Sequence, residues 1–178
     1  MRIDPRHFNK FMAGVAVVAA ILIAIATLNY TSGREDAFQR QMMEADSLGL
    51  VKFPRITSGD SLQLNQFRGQ YLLLDFWSTW SEASTESHAQ LAAETRGDLS
   101  DLAVIAASVR NSRNEILEYR QTHNYPFEYV DGTAFYRTMN LPGVPSQVLF
   151  DKDGEVVATF VGYTDSTRYD SLKAHIRK

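Results

Sequence analysis

The chain has 178 residues, a formal charge of −3 and no cysteine, a length that fits one domain plus an appendage. Without a cationic excess, electrostatic binding of nucleic acid has no support, and without cysteine, disulfides, thiolate metal sites and thiol nucleophiles are excluded together. His7, His88, His123 and His175 are scattered and form no metal-ligand spacing, so neither a metal nor a cofactor is expected.

The first legible element is Phe11–Leu28, FMAGVAVVAAILIAIATL, eighteen residues without a charge. As a helix rising ~1.5 Å per residue it covers ~27 Å, close to the thickness of a hydrocarbon core. Polar Asn29 and aromatic Tyr30 follow, as at a membrane interface. Arg2, Arg6 and Lys10 precede it against Asp4 alone. That bias predicts a cytoplasmic segment over residues 1–10 and a membrane-spanning signal-anchor over residues 11–29. The C-terminal bulk then lies outside the cytoplasm, in the periplasm of a Gram-negative cell. A cleaved signal peptide competes, since Ala24-Ile25-Ala26 has the small-x-small form of a cleavage site. The length of the apolar run favours the retained anchor. A lipoprotein is excluded, because no cysteine exists to carry the lipid.

Residues 30–52 are predicted to be a linker. Phe38 and Met42, four apart, would share one helical face, but the charged Arg34, Glu35 and Asp36 favour a solvated stalk. The domain proper is assigned to residues 53–178, where strands and helices alternate. Ser61–Leu64 reads as a short edge strand and Tyr71–Trp77 as a buried strand broken only by Asp75. A helix follows from Ser81 to Arg96, then a buried strand over Leu102–Val109 and a helix over Ser112–His123. Thr133–Met139 is a short helix. Gln147–Asp151 and Glu155–Val161 are strands joined by Asp151-Lys152-Asp153-Gly154, a hairpin turn signal. Thr164–Arg177 closes the chain as a helix. This order predicts an α/β domain with a mixed sheet and helices on both faces.

The stretch Leu72–Ser84, LLLDFWSTWSEAS, resembles the active-site region of thioredoxin-like proteins. In that family a buried strand ends in D-F-W or N-F-W and is followed by W-C-x-x-C at a helix N-terminus. Asp75-Phe76-Trp77 and Trp80 match, while Ser81 and Ser84 stand at the two cysteine positions. Leu62–Gly69 (LQLNQFRG) is similar to the strand and turn of the membrane-anchored, extracytoplasmic thiol–disulfide exchange branch. Gly143-Val144-Pro145-Ser146 followed by QVLFDKDGEV is similar to the family's cis-proline loop and terminal hairpin. The resemblance covers about Phe53 to Lys178. Ala83, Ser87 and Ala89 depart from it, where a proline, a carboxylate and a proline are common.

Dithiol–disulfide exchange needs a thiolate, and a serine hydroxyl has no comparable redox couple. Ser81 is expected to act as a helix N-cap, with Glu82 complementing the helix dipole. A serine hydrolase built on Ser84 and His88, four apart on one helix, with Asp75 below them, is the enzymatic alternative. It lacks the glycines of a nucleophile elbow, and His88 is read as a partly exposed helix residue. The resemblance implies that Trp80, Val144 and Pro145 frame a groove where an extended protein or peptide partner adds as a strand. Asp75 is expected to be a buried carboxylate without a positive partner, so that Asp75→Asn would stabilise the domain at neutral pH by about 1–3 kcal/mol. The function expected is that of a redox-inactive binding or assembly module at a membrane. An inherited oxidoreductase label without activity is the alternative.

Overall fold

The computed structural model describes residues 5–45, 47–162 and 166–176. The chain divides into two compact units, one ending at Ala37 and one opening at Phe38. The first unit is carried by helix α1 (Pro5–Met43). The stretch Lys10–Met43 contains an 18-residue window of mean hydropathy 2.7, none of it buried, which is long and apolar enough to cross a membrane. Thr27 and Ser32 donate their hydroxyls to the carbonyls of Ile23 and Leu28, at 2.8 and 2.9 Å. Both polar groups are thereby satisfied within the helix itself.

The end of α1 departs from the sequence expectation. The solvated stalk assigned to residues 30–52 is helical as far as Met43. Phe38 and Met42 are 2% and 1% exposed and belong to the core of the second unit. Once the long apolar run has formed a helix, each further residue adds a hydrogen bond without a new nucleation cost. The i, i+4 spacing then puts Phe38 and Met42 on one face, and burial of both outweighs the charge of the exposed Glu35 and Asp36.

In the second unit, β1 (Lys52–Pro54) pairs antiparallel with β2 (Ser61–Gln63), Phe53 opposite Leu62. The remaining elements are β3 (Tyr71–Trp77), α2 (Glu82–Thr95), β4 (Leu102–Ser108), α3 (Arg113–His123), β5 (Glu128–Asp131), α4 (Thr133–Thr138), β6 (Ser146–Phe150), β7 (Val156–Val161) and α5 (Ser166–Ile176). The main sheet has the order β5-β4-β3-β6-β7. β3, β4 and β5 run parallel, and β6 and β7 complete the sheet antiparallel. The expected α/β sheet is therefore present, with β1 and β5 added. For the last helix, residues 163–165 and 177–178 lie outside the described residues.

Alternation along β3 divides the interior. Leu73, Asp75 and Trp77 point to one face, where Leu73 and Trp77 pack with Leu91 of α2, Ile116 and Tyr119 of α3, and Leu172 of α5. Leu72, Leu74 and Phe76 point to the other, packing with Phe38 and Met42 of α1 and with Phe53 and Leu62. Phe135 of α4 stacks on Phe76 at 5.4 Å on this second face. Both crossovers between the parallel strands lie on the Asp75 face, so α2 is laid directly over the middle of β3.

Candidate functional site

The C-terminal end of β3 leads into α2 through Ser78-Thr79-Trp80-Ser81, and this turn is fixed by its neighbour. Asn111 Oδ1 lies 2.7 Å from Ser78 Oγ and accepts the Thr79 backbone N–H at 3.2 Å. The Asn111 amide donates in turn to Thr79 Oγ1. Trp80 projects from this turn, 61% exposed. Ser81 is the N-cap of α2, with extended backbone (φ −100°, ψ 106°), and its Oγ accepts the Ser84 N–H at 3.3 Å. Glu82 lies in the first turn. Ser81 thus does the work of a cap, satisfying one orphan amide of the helix.

Ser84 is fully buried, and its hydroxyl has no hydrogen-bond partner among the described residues. His88, one turn further along α2, is also fully buried; the reading of it as a partly exposed residue is corrected. On the helix, Ser84, His88 and Leu91 follow at i, i+4 and i+7, so His88 shares the face that carries core Leu91. That spacing was available in the sequence. His88 Nε2 lies 2.8 Å from Asp75 Oδ2, with both side chains inaccessible to solvent. Asp75, expected to be buried without a positive partner, therefore has the imidazole of His88 as its buried polar partner. The second carboxylate oxygen of Asp75 and Nδ1 of His88 have no hydrogen-bond partner among the described residues.

Three residues named for a hydrolase are close together, but their geometry does not serve one. A hydrolase needs a base bonded to the serine and a nucleophile that substrate can reach. Here the imidazole bonds only the carboxylate, and Ser84 is sealed in the core. The His88 ring is enclosed by Trp77 at 4.4 Å, Phe127 at 5.3 Å and Tyr119 at 5.8 Å between ring centroids. Burial foremost, with neighbouring Tyr125 next, pushes the hydroxyls of Tyr119 and Tyr129 well above the usual tyrosine range. Gln147 of β6 stands opposite Asp75 in register, and its amide reaches Ser87 Oγ at 3.5 Å.

The loop before β6 arrives at the same edge. Ser146 pairs with Phe76, so Pro145 lies beyond it at the end of β3 from which Trp80 emerges. The Val144–Pro145 peptide bond is cis. Pro145 is buried and Val144 half-buried. Ser146 Oγ donates to the Gly143 carbonyl at 2.7 Å, and Pro145 O accepts the Gly162 N–H at 2.9 Å. Trp80 and the proline loop share the edge without a hydrogen bond between them. Among the described residues no group of three or more histidines and carboxylates gathers at a point that could hold a metal ion.

A buried strand ending in Trp77, a capped helix laid over it and a proline loop facing the turn give this chain a thioredoxin-like fold. Residues 69–156 match the family model described as thioredoxin-like. The chain is 21% identical over 158 residues to the thioredoxin-like protein YneN of Bacillus subtilis, covering 86% of this chain and 91% of that one. A secreted disulfide oxidoreductase of Mycobacterium tuberculosis superposes with a TM-score of 0.61 at 16% identity, over 75% of this chain and 98% of the other. A thiol:disulfide interchange protein of Chlorobium tepidum gives 0.61 at 13% identity, over 72% and 93%. The fold is thus shared with thiol–disulfide oxidoreductases, and this chain carries it without a cysteine.

Proposed function

We propose that this chain is a redox-inactive thioredoxin-like protein, held at a membrane through residues 11–29, with residues 1–10 in the cytoplasm and the domain outside it. Its work is to bind a protein or peptide partner at the edge formed by Trp80, Val144 and Pro145. The observation that carries the reading is the contrast between adjacent residues. Ser81 is consumed as a cap with no thiolate to offer, while Trp80 presents 61% of its surface to solvent. An exposed tryptophan beside a loop is suited to recognition, because its large rigid ring buries much area at low entropic cost. Thiol–disulfide exchange, the activity in the names of the similar structures, requires a sulfur nucleophile.

Three measurements test the reading. The purified full chain should not reduce insulin disulfides above buffer, and turnover would overturn redox inactivity. A photo-crosslinking residue at position 80 should capture a defined adduct in cells, and Val144→Arg should abolish it. An adduct pattern identical to that from a probe at exposed Glu118 would overturn the binding edge. A reporter fused after Lys178 should be active outside the cytoplasm; activity inside would overturn the orientation.

A further inference from the structure

At the opposite end of β3 from Trp80, the second unit contains a cavity of about 330 Å³, within the range of small-molecule sites. Its apolar lining comes from Met42 at the end of α1, from Leu64 and Phe67 in the turn after β2, and from Leu72 and Phe150 of the sheet. Met43 and Leu50 also line it, 49% and 65% exposed. From Phe38 onward, only Met43, Leu50 and Trp80 are large apolar side chains left exposed among the described residues. Single exposed apolar residues are ordinary, but two of these three lie at one cavity. Arg68 is on the same lining and exposed, and its guanidinium has neither a hydrogen bond nor an ion pair among the described residues. Its side chain passes over Gly154, 3.4 Å from where a Cβ would stand. Of the two acids lining the cavity, Asp151 already accepts the amides of Asp153 and Glu155 with Oδ1, and Glu155 is exposed.

We propose that this cavity binds a small amphipathic carboxylate, its apolar body against Met42, Phe67 and Leu72 and its carboxylate on Arg68. An unpaired guanidinium recognises a planar carboxylate through paired N–H donors, and the apolar lining supplies the hydrophobic contribution to affinity. The site is independent of the Trp80 edge.

The test is a titration of the full chain in lipid nanodiscs with hexanoate, and with hexanol as the uncharged comparator. It is read by NMR of methionine methyl groups. The Met42 and Met43 signals should shift saturably while those of Met139 and Met12 stay fixed. Arg68→Gln should weaken hexanoate about tenfold or more, the loss of a charge-assisted hydrogen bond, and leave hexanol unchanged. Glu155→Gln should strengthen hexanoate only, and Leu50→Glu should abolish the shift with both ligands. Absence of a saturable shift, an equal shift at Met12, which marks partition into lipid, or retention of binding by Leu50→Glu would overturn the site. Equal loss of hexanoate and hexanol in Arg68→Gln would overturn the carboxylate.

Discussion

Replacing His88 by leucine tests the buried pair at the centre of the domain. Asp75 and His88 are both inaccessible, joined by one contact of 2.8 Å, and the other Asp75 oxygen has no partner among the described residues. Removing the imidazole therefore leaves the whole carboxylate uncompensated in the core, a loss of about 3–5 kcal/mol. Asp75→Leu leaves only an imidazole unsatisfied and should cost about 1–3 kcal/mol. The double variant removes both polar groups and fills the space with apolar atoms, so it should lie within ~1 kcal/mol of the parent or above it. Asp75→Asn keeps the shape and can donate to Nε2, exchanging a charge-assisted bond for a neutral one at about 1–2 kcal/mol. The stabilisation by asparagine expected from the sequence thus becomes a destabilisation. Denaturant titration of the full chain in a mild detergent, followed by tryptophan fluorescence, gives all four values. Single costs that simply add in the double variant, or an Asn variant more stable than the parent at neutral pH, would refute the pair as a compensated unit.

Phe38→Ala and Met42→Ala should each cost about 2–5 kcal/mol in the same titration, because both residues are core; no change would mean that the end of α1 is a stalk after all. Gly132→Ala places a Cβ 2.8 Å from that of Ala107 and 3.2 Å from its carbonyl, so an overpacking loss of about 1–3 kcal/mol is expected. The phenol protons of Tyr119 and Tyr129 are held more tightly folded than unfolded. The stability they contribute is complete below the ordinary tyrosine value of ~10 and falls as pH rises above it. A spectrophotometric titration should show two tyrosines ionising only as the fold is lost.

Much of the sheet was legible in the sequence because its strands are long apolar runs. Tyr71–Trp77 was bounded at the residues observed, and the Ser81 cap followed from a serine and a glutamate ahead of a helical pattern. β1 and β5, three and four residues long, were not assigned from the sequence. β5 is a strand because β4 supplies its parallel partner, from Ile105–Glu128 to Ser108–Asp131. The end of α1 was misread because local charge was weighed above a two-residue apolar stripe. At the site, the positions of Ser81, Ser84 and Asp75 could be named, but Asp75 was set near His88 only in the hydrolase alternative, and the buried pair itself was not expected. It joins residues thirteen apart on different elements, and only the crossover that lays α2 over β3 brings them together.

The clasp made by Asn111 bears on how the edge beside it could be used. Its amide holds Ser78 and both the backbone and side chain of Thr79, anchoring the chain just before Trp80. Docking on a mobile loop forfeits affinity to the freezing of that loop, whereas a ring on an anchored turn has little backbone freedom left to lose. Loosening the clasp by Asn111→Ala should therefore slow association and weaken a partner's grip without touching a single contact atom.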